Sequence, residues 1–115
     1  MEQDCVFCKI ATGVFDTQFV YQDEKLVAFR DMNPQAPVHI LIIPRRHIPQ
    51  IRQLKGNDDK LVGRMILVAI KLAEQEQISE SGYRLVFNCG ENGGQEVDHI
   101  HLHLFGGRKM TWPPG

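Results

Sequence analysis

Three cysteines in 115 residues are odd in number and too few to build a disulfide framework, so the expected compartment is a reducing cytoplasm. An excess of either charge is missing too. Thirteen Lys and Arg stand against 14 Asp and Glu, for a formal net charge of −1. No field of that size holds a nucleic-acid backbone or an anionic membrane, so neither is expected as a partner. No apolar run approaches the roughly 18 residues of a membrane span. The opening stretch MEQDCVFCKI is acidic and poor in apolar residues, unlike a secretory signal. Repeats, low-complexity tracts and linker-like shifts in composition are absent. One domain over residues 1–115 is the simplest organisation. The partners left by these exclusions are small molecules or a second copy of the chain.

What is present reads as an ordinary globular protein, with 43% hydrophobic and 23% charged residues. Val6 to Ala11 suits a short helix ended by Gly13. Two β-rich runs, FVYQ (19–22) and KLVAFRD (25–31), flank Asp23 and Glu24 as a hairpin would. The Pro-rich turn NPQAP (33–37) leads into VHILIIP (38–44), the most hydrophobic strand candidate. From Asp58 or Asp59 the period becomes helical. Leu61, Val62, Met65, Ile66, Ala69, Leu72 and Ala73 recur at three- and four-residue steps behind an acidic first turn. YRLVFN (83–88) reads as a strand, CGENGGQE (89–96) as a polar glycine-rich loop, and VDHIHLHLF (97–105) as the last strand. The sum is an α+β fold: about five antiparallel strands with one long and one short helix.

The last strand carries the chemistry. HIHLHLFGG (99–107) alternates imidazole with an aliphatic residue, and strand side chains alternate between faces. His99, His101, His103 and Phe105 therefore share one face, about 6.6 Å apart at a rise of roughly 3.3 Å per residue. Ile100, Leu102 and Leu104 share the other and can enter the core. Three of the chain's five histidines in one register are hard to reconcile with ordinary surface residues. Imidazole is the side chain most often recruited for acid–base, nucleophilic and metal work. His39, in VHILIIP, lies on a strand able to pair beside this one. Gly93 and Gly94, just upstream, offer backbone N–H groups suited to an oxyanion or phosphate.

HIHLHLF matches the signature of the histidine triad (HIT) superfamily, His-x-His-x-His followed by two apolar residues. AFRDMNPQAPVHILIIPRRHI, GYRLVFNCGENGGQ and the tail GGRKMTWPPG resemble its nucleotide-binding (Hint) branch, so the likeness covers nearly the whole chain. The resemblance implies a homodimer that hydrolyses purine nucleoside phosphoramidates to a nucleoside monophosphate and an amine, with no catalytic cofactor. It assigns the nucleophile to His101, within a catalytic set that also holds His99, His103 and His39. His103 and His39 would orient the phosphate or carry protons. Backbone N–H groups near Gly94 and Gln95 would hold phosphate oxygens, and Asn88 would contact the site. Asp31 corresponds to a ribose-binding carboxylate, and Phe7, Ile10, Phe29 and Met32 to the walls around the purine.

Two positions depart from the family pattern. Glu96 stands where many members carry a serine near the phosphate, and a carboxylate there repels phosphate unless protonated or turned away. Asp98 precedes the triad where an aromatic or apolar residue is common.

Cys5 and Cys8 have zinc-knuckle spacing, although a lone C-x-x-C also suits two reduced core thiols. In superfamily members with such cysteines, histidines at the positions of His47 and His99 complete a structural zinc site. Two rival readings follow from other chemistry. One is a metal-dependent hydrolase with His99, His101 and His39 as ligands. The other is a non-catalytic purine nucleotide sensor or scaffold, for which Glu96 leaves room.

Overall fold

A computed structural model describes residues 4–115. The first three residues of the expected single domain lie outside the described residues. Seven regular elements follow in chain order: α1 (Val6–Ala11), β1 (Tyr21–Gln22), β2 (Leu26–Arg30), β3 (Val38–Pro44), α2 (Asp59–Gln75), β4 (Tyr83–Val86) and β5 (Leu102–Gly106). Two single 3-10 turns, Ile51–Gln53 and Gly56–Asp58, lead into α2. The strands form one five-stranded sheet in the order β1-β2-β3-β5-β4, with every pairing antiparallel. The expected α+β class and strand count hold. No helix among the described residues is long and apolar enough to cross a membrane.

Local chemistry explains the boundaries. Asp23 turns the first hairpin by accepting at Oδ1 from the backbone N–H groups of Lys25 (2.7 Å) and Leu26 (2.8 Å). Cys5 caps α1, its Sγ accepting from the Cys8 N–H at 3.2 Å. α2 buries Met65, Val68, Ala69, Leu72 and Ala73, an apolar stripe of helical period. Ile66, expected in that stripe, is exposed: at roughly 100° per residue it points away from the centre of the buried face, and Val68 takes its place.

The sheet has a core on each side. Leu26, Ala28, Ile40, Ile42, Leu102 and Leu104 face α2. Val27, Phe29, Leu41 and Ile43 face α1, against Phe7, Ile10 and Ala11. β3 is buried along its whole length because both layers close over it.

The last strand begins later than the alternation suggested, at Leu102 instead of Val97. Upstream of it the His99 N–H turns back to the Val97 carbonyl (2.9 Å), and the Ile100 N–H donates to the Ile48 carbonyl (2.8 Å). These bonds take residues 97–100 out of the ladder. Asp98 is exposed in that bend.

Candidate active site

β3 and β5 pair so that His39 stands opposite Phe105 and Leu41 opposite His103. Four imidazoles thereby meet on the α1 side of the sheet. His101 and His103 have ring centroids 4.8 Å apart, and His39 lies 5.2 Å from His103. Phe7 of α1 sets its ring edge against His101 (5.0 Å), His99 (6.0 Å) and Phe29 (5.7 Å). Although His99 sits in the bend, it keeps to the face that alternation predicted.

Backbone partners decide where each ring carries its proton. The Gln35 N–H, which can only donate, reaches His39 Nδ1 at 3.1 Å. That nitrogen is therefore an acceptor, and a neutral His39 holds its proton on Nε2. His39 Nε2–H then donates to His103 Nδ1 at 3.0 Å, with Asp31 Oδ2 3.5 Å away. His103 is left with its proton on Nε2, a buried atom with no partner among the described residues. A buried donor without an acceptor calls for a ligand or water to complete it. His101 is oriented the other way, its Nδ1–H donating to the His99 carbonyl at 2.7 Å. Its Nε2 therefore carries a lone pair.

These rings open on a cavity of about 550 Å³. Of the residues singled out from the sequence, His101, His103, His39, Asp31, Phe7, Phe29, Met32, Asn88, Gly94 and Glu96 line it. Ile10 does not; it packs in the core beneath α1. Gln95 does not either. Its side chain braces the loop, Nε2 donating to the Pro49 and Val97 carbonyls at 2.7 and 2.9 Å. The Gly94 and Gln95 N–H groups, expected to face phosphate, donate within the loop to the carbonyls of Glu91 and Gly90, both at 3.0 Å. Sequence reasoning missed Asn33, Gln35, Leu41 and Val97 as lining residues. Leu41 was findable, since it lies two residues from His39 on the same strand face. The Gln35 amide carries no side-chain signal at all.

Burial disfavours charge on these rings. It holds His39 below its ordinary value against the pull of Asp31. His101 is lowered by burial too, opposed by its bond to the His99 carbonyl and by Asp31 and Glu96. His103 is pushed down to about 4 by burial, with His101 and His39 adding to the effect. Near neutral pH the cluster is thus uncharged and nucleophilic.

On the other side of His99 lies a second cluster. His99 Nε2–H donates to the Pro44 carbonyl at 2.7 Å, which turns the Nδ1 lone pair toward Cys5 Sγ (3.2 Å) and Cys8 Sγ (3.4 Å). His47 Nδ1 lies 3.3 Å from both Cys8 Sγ and His99 Nδ1. All four ligand atoms fall within 4.8 Å of one another. Ligand–ligand edges of a zinc tetrahedron are about 3.3–3.8 Å, given bonds of ~2.0–2.3 Å. The donor set and its spacing fit such an ion.

The three-histidine ligand set of a metal-dependent hydrolase is not assembled. His99 aims its free nitrogen at the thiols, while His101 and His39 face the cavity. Asp31, His39 and His103 also bring ligand atoms within 4.8 Å. There, however, the Gln35 amide keeps the proton of His39 on the nitrogen that a metal would need.

The HIT domain model matches residues 12–110 of the chain. The purine nucleoside phosphoramidase of Escherichia coli K12 is 50% identical over 110 residues, spanning 96% of this chain and 92% of that protein. A HIT family hydrolase from Legionella pneumophila superposes with a TM-score of 0.94 at 55% identity, over 96% of this chain and 99% of that one. A histidine triad protein from Clostridium difficile gives 0.91 at 39% identity, over 94% of each chain.

The depressed proton affinity of His39 and His103 makes stability depend on pH. Both bind protons more readily when unfolded, near 6.5, than when folded. Their contribution is complete above that value and is lost as pH falls through it toward the folded values. The melting temperature is expected to be flat above about pH 7 and to fall by roughly 5 °C or more by pH 5. His103→Gln should flatten part of that slope. A melting temperature constant down to pH 5 would contradict the assignment.

Proposed function

The chain belongs to the HIT domain family and is an enzyme of its hydrolase type, and from that premise we propose that it cleaves the P–N bond of purine nucleoside 5′-phosphoramidates. The observation that carries this reading is the opposed orientation of two neighbouring imidazoles. His101 presents a lone pair at Nε2, while His103 presents an unsatisfied Nε2–H. One ring is set to attack and the other to donate.

The purine takes the apolar end of the cavity, between Phe7, Phe29 and Met32, and the ribose hydroxyls reach Asp31. His103 Nε2–H donates to a phosphate oxygen, which supplies its missing partner and stabilises the charge that grows there in the transition state. His101 Nε2 attacks phosphorus, the P–N bond breaks, and the nitrogen leaves as an amine after taking up a proton from water, a proton returned to solvent when water later adds to phosphorus. The His101 Nδ1–H bond to the His99 carbonyl strengthens as positive charge builds on the ring. Water then cleaves the nucleotidyl–histidine bond, releasing the nucleoside monophosphate and restoring neutral His101.

Cys5, Cys8, His47 and His99 would hold a structural zinc ion. Four protein ligands would satisfy such an ion, so it would supply rigidity and not an open coordination site. It would anchor α1, and with it Phe7, to the bend whose carbonyl orients His101.

The homodimer is supported by two features of the fold. β4 is an edge strand whose outer side pairs with nothing among the described residues. Ile66, Leu67 and Ile70 leave an apolar face of α2 exposed.

Mass spectrometry of protein quenched during turnover of adenosine 5′-phosphoramidate is expected to find a nucleotidyl adduct on His101. His101→Ala should abolish turnover, by on the order of 10³-fold or more, while retaining nucleotide binding. Full activity in that variant would end the proposal. Elemental analysis of purified protein is expected to give one zinc per chain, and Cys8→Ser should lose the metal together with several degrees of thermal stability. A metal-free chain whose stability is indifferent to chelator would refute the zinc site.

A further inference from the structure

The proposed reaction gives work to the histidines and to Asp31 but leaves Glu96 idle. No lysine or arginine lines the cavity, and its two acids are Asp31 and Glu96. Asp31 is committed: Oδ1 accepts from the Asn33 N–H at 2.8 Å, and Oδ2 faces His39 at 3.5 Å. Glu96 is exposed and makes no hydrogen bond or ion pair with any described residue. It shares the wall with His101, whose protonated form it favours.

Charge balance then limits what fits. An anionic phosphate entering this cavity meets a free carboxylate and no side-chain cation to offset it. Repulsion between two unit charges a few ångströms apart is worth about 1–4 kcal/mol at the dielectric of water or of a protein surface. A substrate that brings its own positive charge turns that cost into an attraction. Purine and ribose are neutral, so the charge can come only from the group attached through the P–N nitrogen. With the purine against Phe7 and Phe29, that group points away from it, toward the wall that carries His101 and Glu96. Glu96 lies at the exposed rim.

We propose that Glu96 is a specificity-determining residue that selects phosphoramidates whose departing amine carries a second, cationic group, as a diamine or a basic side chain does. The proposal rests on the phosphoramidate reading of the site. Glu96 binds the distant ammonium and leaves the reacting atoms to His101 and His103. Its effect falls on the relative kcat/KM of substrates, through KM, and weakens with salt because the pair is exposed.

The test compares adenosine 5′-phosphoramidates of ethylenediamine and of n-propylamine, near-isosteric groups that differ by one positive charge. Wild type at low ionic strength is expected to favour the aminoethyl substrate by about fivefold in kcat/KM, the scale of one exposed ion pair. Glu96→Gln should bring the ratio close to one, and added salt should shrink the wild-type preference. A wild-type ratio of one overturns the proposal, as does a preference that survives in Glu96→Gln or a variant that loses both substrates equally. Turnover of the propyl compound without preference leaves the phosphoramidate reading standing and removes only this inference. Failure to turn over either substrate removes both.

Discussion

Pairing of β3 with β5 is the constraint on which everything else rests. β3 is the most hydrophobic strand, and β5 inserts between it and β4, so the ladder joins the two halves of the chain. Its register places Ile40 against Leu104 and Ile42 against Leu102 on the α2 side. The same register sets His39 against Phe105 and Leu41 against His103 on the α1 side. A slip of one residue would send the imidazoles into the aliphatic core and the leucines into the cavity. Burial of the leucines and isoleucines is thus what holds the histidines at their site, and core packing and site geometry are one problem.

Given that register, backbone groups do the rest. The Gln35 amide sets the proton on His39, and through it on His103. The His99 carbonyl sets it on His101. The His99 ring, turned by the Pro44 carbonyl, faces the thiols instead. One residue therefore touches both clusters, with its side chain among the zinc-type ligands and its carbonyl on the nucleophile. The arrangement needs no charged side chain to tune the rings. Burial is the main force that keeps them neutral, the neighbouring imidazoles add to it at His103, and the two carboxylates beside them limit the shift of His101.

Much of this was legible in the sequence. The six residues of α1 and the seven of β3 lie where composition and flanking turns put them. The alternation in HIHLHLF put three imidazoles on one face; His103 takes that face within β5, and His99 and His101 keep to it from the segment just before the strand. The bend at residues 97–100 was not legible. It is made by the Ile48 carbonyl, about fifty residues away, and by the approach of His99 to Cys5 and Cys8. The loop bonds of the Gly94 and Gln95 amides are hidden for a related reason, since glycine content reveals freedom but not where a loop directs its own donors. Ile66 and Val68 are both apolar, and their angle around α2 decides which is buried, an angle that a pattern of three- and four-residue steps leaves ambiguous.

The chemistry of the site depends on the opposed tautomers of neighbouring rings, and long-range ¹H–¹⁵N correlation of histidine-labelled protein near pH 7 reads them directly. The structure requires His101 protonated at Nδ1 and bare at Nε2, with His103 and His39 neutral and protonated at Nε2. His101 protonated at Nε2, or present as a cation at that pH, would contradict it.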